Sequence, residues 1–406
     1  MILTSYKGKR GHLRDTIPIL ISSGASQGFI AVLYLLAARH VGPSAFGSAL
    51  ALIGVGNFIS IMVDFGQNSF LLRELAASRI TSQQVLQQVY AKNIVVACAA
   101  ALFGLIVYIN SSNIMLAGTL MIYVLLLSLE MTAQSILRWT GGAAKFSLSI
   151  FFDKAASLIV YLFVLAAHYT SPNWIPLALT VGSLVGLVMA VYLHPGSFRI
   201  KTQPFSVNQT VGYLVSARSF GFYGFAIALQ GLDILALRVV AGPEATGEYA
   251  VVSRWIMPLI LLASAYSQAS YPHFAATKTH ASAKALLKSG QKLWVASLFI
   301  IGGVILSAPL LVRSLLGPEY SNSIIVLRVL SMAMVFAILN QPLAVLLQAR
   351  GKQNQVALSV GTGIVLQLLS TLTLGHYLSA VGGAYAWLLG QSIVFILLAI
   401  NLRKLS

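Results

Sequence analysis

TIPILISSGASQGFIAVLYLLAA, residues 16–38, holds twenty-three positions without an Asp, Glu, Lys, Arg or His. As an α-helix it rises about 34 Å, enough to cross the ~30 Å hydrocarbon core of a bilayer. Lys7, Lys9, Arg10 and Arg14 precede it. A secretory signal has a shorter apolar core followed by a small-residue cleavage site. This run has neither feature, and we read it as a retained first span.

The rest of the chain repeats the pattern. Hydrophobic residues make up 58% of 406 and charged residues 9%, and the mean hydropathy is +0.84. Soluble domains carry about 25% charged residues, so there is too little polar surface here to face water all round. In lipid each backbone amide needs an internal partner, which leaves helices or closed barrels. The apolar runs of about twenty residues fit helices, not alternating barrel strands. The expected spans are roughly 16–38, 46–64, 93–109, 113–134, 146–167, 174–193, 218–240, 247–271, 291–313, 322–347, 354–375 and 380–400. The predicted fold class is an all-α polytopic membrane protein of about twelve transmembrane helices.

Charge checks the count independently. With these spans, 21 of the 26 Lys and Arg residues fall on one side, including Arg73, Arg138, Arg218 and Lys284. Basic residues are retained in the cytoplasm. The expectation is therefore a cytoplasmic (inner) membrane protein with both termini inside. The net charge of +17 then reflects this bias and attraction to anionic lipid headgroups, and nucleic acid is not needed to explain it. Lys284, Lys288 and Lys292 recur every four residues, as on a helix lying along the inner leaflet. The single cysteine, Cys98, excludes an intramolecular disulfide and a CxxC pair.

The two halves match at an offset of 200 residues. Gly42-Pro43-Ser-Ala-Phe-Gly47 recurs as Gly242-Pro243-Glu-Ala-Thr-Gly247, in each case just after the first span of a half. A weaker echo joins Ser149 and Ser359. The expected organisation is an N-terminal lobe over 1–193, a cytoplasmic linker over 194–217 and a C-terminal lobe over 218–406. Six spans per half make the repeats parallel, related by an axis along the membrane normal, with substrate held between the lobes. The external connections are short, which leaves little room for the catalytic loop of a membrane-embedded glycosyl-transfer enzyme. No P-loop and no His-Glu-x-x-His is present, so no cofactor is expected. A proton or sodium gradient, or the substrate gradient itself, is the expected source of energy.

RHVGPSAFGSALALIGVGNFISIMVDFGQNSFLLRELA (39–76) resembles the start of Wzx-type O-antigen flippases, in the polysaccharide branch of the MOP superfamily that also holds the MATE exporters. The matching features are Arg39, Gly42-Pro43, Phe46-Gly47, Asp64-Phe65-Gly66 and Arg73-Glu74, with further likeness over 315–331 and 346–360. The resemblance implies two pseudo-symmetric six-helix lobes working by alternating access. Its implied cargo is an undecaprenyl-diphosphate-linked oligosaccharide repeat unit. It also implies a monomer that meets membrane lipids, a polysaccharide polymerase and a chain-length regulator. Lipid II flippases carry two further C-terminal helices, so twelve spans argue against that branch. A MATE-like exporter of cations is the alternative.

Ionisable residues inside spans cost at least ~2.5 kcal/mol and point to function. Glu130, Asp153 and Asp233 are the candidate ion-coupling sites. Arg328, Arg254 and Arg218 are the candidate diphosphate contacts, since arginine presents a bidentate fork to phosphate. Ser23, Gln27 and Gln230 are candidate lumen-lining groups. Asp64 with Arg73, and the Gly42-Pro43 and Gly242-Pro243 turns, are expected to be structural. Asp233 and Arg254 are equidistant from the Gly242-Pro243 turn and are expected to pair.

Overall fold

In the computed structural model the described residues are 9–76, 80, 82–140, 142–198, 212, 215, 221, 224–226, 228–260, 263 and 291–404. Arg218, Lys284, Lys288 and most of the 194–217 linker lie outside them. The long helices are α1 (Lys9–Asp64), α2 (Gln67–Ala76), α3 (Ser82–Ser111), α4 (Ile114–Thr140), α5 (Ala143–Ala166), α6 (Trp174–Leu193), α7 (Asp233–Ile256), α8 (Gln291–Leu315), α9 (Ser323–Ala349) and α10 (Gln353–Arg403). Among the described residues there is no strand.

Nine helical segments among the described residues are long and apolar enough to cross a membrane, and three are double-length: Gly24–Asp64, Gly224–Leu259 and Gln353–Arg403. Each of the three contains one residue with non-helical backbone, at Gly42 (φ 76°), Gly242 (φ 83°) and Ser379 (φ 53°). Contacts across those residues prove that the chain reverses there. Asp233 and Tyr249, sixteen residues apart, would be about 24 Å apart along a straight helix, yet their side chains meet at 2.8 Å. The rings of Tyr34 and Phe46 stand 6.1 Å apart across Gly42. Across Ser379, a Cβ placed on Gly382 would come within 2.7 Å of the Gly375 nitrogen. The three double segments are therefore hairpins, which makes twelve helical arms of membrane-crossing character among the described residues, the number expected from the apolar runs.

The Gly-Pro pair explains two of these reversals. Positive φ is open to glycine without a Cβ clash. The proline that follows sits in the first turn of the next helix, where its missing N–H removes no helical bond.

The described residues form two compact units. One comprises those within 1–33, 59–169 and 173–221, and the other those within 34–58, 170–172 and 222–406. In the first, α6 packs on α4 and α5, and α3 on α4. Gly182, Ser183, Gly186 and Ala190 make one buried face of α6, so its neighbours approach closely. In the second unit α9 packs on α7, α8 and α10. Residues 34–58 belong there because Gly47 lies against the backbone of Pro243 and Gly247, and Gly247 against that of Pro43.

Large apolar side chains cover much of the outside, among them Phe163 (72% exposed), Phe299 (77%) and Leu306 (82%). Such surface is stable against lipid tails, and water would disfavour it. The chain is a multi-pass membrane protein.

Candidate functional site

The second unit contains a cavity of ≈ 440 Å³. Gln230, Asn340, Gln341, Gln348, Gln367 and Gln391 supply its polar lining, and among the described residues no charged side chain lines it. Three structural features build it. Gly363 and Gly390 let the two arms of α10 cross closely, since a Cβ on Gly390 would come within 3.0 Å of the Gly363 carbonyl and 2.8 Å of the Gln367 Cβ. That crossing presents Gln367 and Gln391 together. Asn340 on α9 then donates through Nδ2 to the carbonyl and Oε1 of Gln391, both at 3.1 Å. Pro342, buried in α9, has no N–H and so leaves the Ile338 carbonyl without its helical partner. Irregular backbone is tolerated at membrane depth where it lines a cavity.

The amide set is incompletely bonded. Asn340 and Gln367 are 5% and 1% exposed, yet Asn340 Oδ1 and Gln367 Nε2 have no hydrogen-bond partner. Buried polar atoms are almost always paired. Both atoms belong to cavity-lining residues and are buried without a partner.

The first unit holds the acidic groups. Asp64 pairs with Lys92, Oδ1 to Nζ at 3.0 Å. Lys92 Nζ also donates to Thr132 Oγ1 at 2.6 Å and to Asn68 Oδ1 at 3.3 Å. All three ammonium hydrogens are thus used, and the group is closed. The side chain of Arg73, the partner expected from the sequence, lies outside the described residues. A turn deeper, Glu130 accepts from Gln134 Nε2 at 2.7 Å. Asp153 pairs with Lys154 at 2.5 Å through Oδ2, while its Oδ1 is buried without a partner. Glu130 and Asp153 converge on Gly186, where an added Cβ would run into the carboxylate of one and the Cβ of the other. Ser149 donates to the Gly186 carbonyl at 2.8 Å. Its echo Ser359 receives Asn401 Nδ2 at 3.1 Å.

The α7 hairpin corrects one expectation. Asp233 Oδ2 accepts from Tyr249 Oη at 2.8 Å, and its Oδ1 accepts from the Ile234 N–H at 2.7 Å. Arg254 is near enough to act on Asp233 electrostatically, but its Nε is buried without a hydrogen-bond partner. Equidistance from a turn fixes depth only to within about one helical turn. The residue facing Asp233 at that level is Tyr249. Arg238 Nη1 is likewise buried and unpartnered. Arg328 is exposed on α9 beside Ile325 and Met332 and uses Nε to reach the Ile305 carbonyl at 3.3 Å. Gln27 is half-buried on α1. The side chain of Ser23, like all of Arg218, lies outside the described residues.

The 3-10 turn Pro318–Tyr320 ties the two Gly-Pro repeats together. Tyr320, buried, donates to the Ala38 carbonyl at 2.9 Å. Asn322 and Ser323 bond the Glu248 carboxylate and carbonyl, each at 3.0 Å. Burial, with Glu319 and Glu248 close by, pushes the Tyr320 hydroxyl above its ordinary range, so it remains a donor throughout physiological pH.

Of the sequence candidates, Gln230 enters the cavity and Glu130 joins Asp153, while Arg328 and Gln27 stand apart from both groups. Asn340, Gln341, Gln348, Gln367 and Gln391 were missed. The available signal was amide residues set inside otherwise apolar spans, which more often mark interhelical bonding.

This helical arrangement occurs in solved structures. A multidrug resistance MATE family transporter in an inward-facing conformation superposes with a TM-score of 0.74 at 13% identity, over 93% of this chain and 94% of that one. The lipid II flippase MurJ, in an inward closed conformation, gives 0.77 at 12% identity over 95% and 87%. A MOP superfamily transporter from Pyrococcus furiosus, described as having a binding pocket of reversed polarity, gives 0.64 at 14% identity over 97% and 94%. The fold is that of the MOP transporters. By sequence, an uncharacterized membrane protein of Methanocaldococcus jannaschii is 23% identical over 95% of this chain and 96% of its own length. No family model matches the chain. The MOP fold accommodates exporters and flippases alike, so cargo must be argued from side chains.

Proposed function

We propose that this protein is a transporter, and within that class a flippase for an undecaprenyl-diphosphate-linked oligosaccharide. One observation carries the reading: among the described residues of the second unit, two arginines each keep a buried donor without a hydrogen-bond partner. Arg238 Nη1 and Arg254 Nε are buried donors without partners, whereas Asp233 accepts from Tyr249 and Glu248 from Asn322. Buried unpaired donors favour an anion, and guanidinium matches the geometry of a diphosphate. Arg328, exposed on the face of α9 that carries Ile325 and Met332, is proposed as a further diphosphate contact. The lipid tail stays in the bilayer while headgroup and sugars cross. Neither a cofactor nor catalytic chemistry is part of the proposal.

Glu130, Asp153 and Asp233 are the proposed ion-coupling groups, driven by a proton or sodium gradient. The first two support this best, because their acidic side chains converge on one glycine, Gly186. The source membrane is the cytoplasmic membrane, with both termini inside, as the basic-residue bias argues.

The test is reconstitution. Proteoliposomes should move a fluorescent undecaprenyl-diphosphate-linked trisaccharide between leaflets, and Arg254→Ala should abolish this at normal protein level. A MATE-like exporter is the second reading, with which the fold is equally compatible. Uptake of ethidium with no movement of the lipid-linked saccharide would establish it instead.

A further inference from the structure

Among the described residues that line the amide cavity of the second unit there is no cation to hold a diphosphate. Nor is there a carboxylate among them to hold a cation. A volume of ≈ 440 Å³ lies within the roughly 300–1,000 Å³ of small-molecule pockets. Amides that served only to join helices would satisfy one another, yet Gln367 Nε2 and Asn340 Oδ1 are buried and unused. A matching ligand must accept from the first and donate to the second while remaining neutral, because any full charge would be left unpaired at low dielectric. Hydroxyl groups meet both conditions, as does an acetamido group. The walls between the amides are apolar, formed by Ala337, Val360 and Val394 among others, and these suit the C–H faces of a pyranose ring.

We propose that this cavity binds a neutral saccharide, with Gln367 as donor and Asn340, held in place by Gln391, as acceptor. Identifying that saccharide with the glycan of a lipid-linked cargo rests on the flippase reading. The chemistry of the cavity does not. Anionic and neutral parts of one cargo would then be recognised separately, by arginines and by amides.

The experiment is a ligand-induced thermal shift on the full-length protein in nanodiscs, with N,N′-diacetylchitobiose and maltose as neutral disaccharides and ethidium as the cationic control. At least one disaccharide should raise Tm, and ethidium should not do so through this cavity. Gln367→Leu and Asn340→Leu should each weaken disaccharide binding about tenfold, the loss of one net hydrogen bond. The unliganded Tm of Gln367→Leu should be unchanged or higher, since an unsatisfied buried donor is removed. Gln367→Glu supplies a second variant of the same size whose charge should abolish the shift. Absence of a shift with both disaccharides, or an equal shift in wild type and Gln367→Leu, overturns the proposal. Failure of the flippase reading is distinguishable. If disaccharide binding depends on Gln367 but no lipid-linked saccharide is moved, the cavity stands and the flippase reading falls. If the lipid-linked saccharide is moved at the wild-type rate by Gln367→Leu, and that variant binds disaccharide as wild type does, the reverse holds.

Discussion

Gly47 and Gly247 lie backbone to backbone, so that a Cβ on Gly47 would stand 2.5 Å from the Gly247 nitrogen and 3.0 Å from its Cα. The relation is reciprocal, because Gly247 in turn lies against Pro43 while Gly47 lies against Pro243. Such exchange is what a two-fold axis produces, here between two sequence repeats of one chain. The 200-residue offset thus marks a physical crossing of helices.

Gly47→Val should lower folded protein strongly, because neither backbone can yield. Overpacking of this kind costs about 1–3 kcal/mol or more. Gly118→Ala in α4, with open space around it, should be neutral. Thermal melts monitored by size-exclusion chromatography check both, and equal melts for the two variants would discount the crossing.

Tyr249→Phe should destabilise the second unit by about 1–3 kcal/mol, because Asp233 loses a charge-assisted donor. Asp233→Asn should be partly non-additive with it, as contacting residues are. Arg254→Met should have the smaller effect. Unfolding in SDS–detergent mixtures measures the cycle, and strict additivity of the first two would mean that their 2.8 Å contact carries no energy.

Lys92 is only 1% exposed at its side chain, so Asp64→Asn should strand a buried ammonium at a loss of about 3–5 kcal/mol. The double variant Asp64→Leu/Lys92→Met should recover much of that. A double variant no better than Asp64→Asn would show that the pair is held for function more than for stability.

If Glu130 or Asp153 couples transport to protons, Glu130→Gln or Asp153→Asn should flatten the pH dependence of transport in proteoliposomes while expression is retained. Transport that keeps the wild-type pH profile in both single variants and in the double variant would leave the two carboxylates a structural role.

In a Cys98→Ala background, cysteines at Ser112, Ser171 and Ser379 should react with an impermeant thiol reagent from outside the cell. All three positions are exposed. A cysteine at Ser82 should be protected. Reversed labelling would invert the orientation argued from the lysines and arginines.

The sequence by itself determined the class, the span count and the turns. Apolar runs such as 16–38 have to be helices in lipid because unpaired amides are not tolerated there. Gly42-Pro43 and Gly242-Pro243 have to be reversals because positive φ followed by proline permits little else. These are local constraints, legible without knowing any neighbour. Partnership was a different matter. Depth arithmetic gave Asp233 to Arg254, and only the packed hairpin showed that Tyr249 faces it. The pairing of Asp64 with Lys92, and the assembly of Gln230, Asn340, Gln367 and Gln391 around one cavity, depend on the rotation of each helix about its own axis. In a span that is apolar on every side, no amphipathic stripe reveals that rotation. It is decided by close approaches between helices, at Gly186 and at Gly363 with Gly390, which exist only once the helices have met.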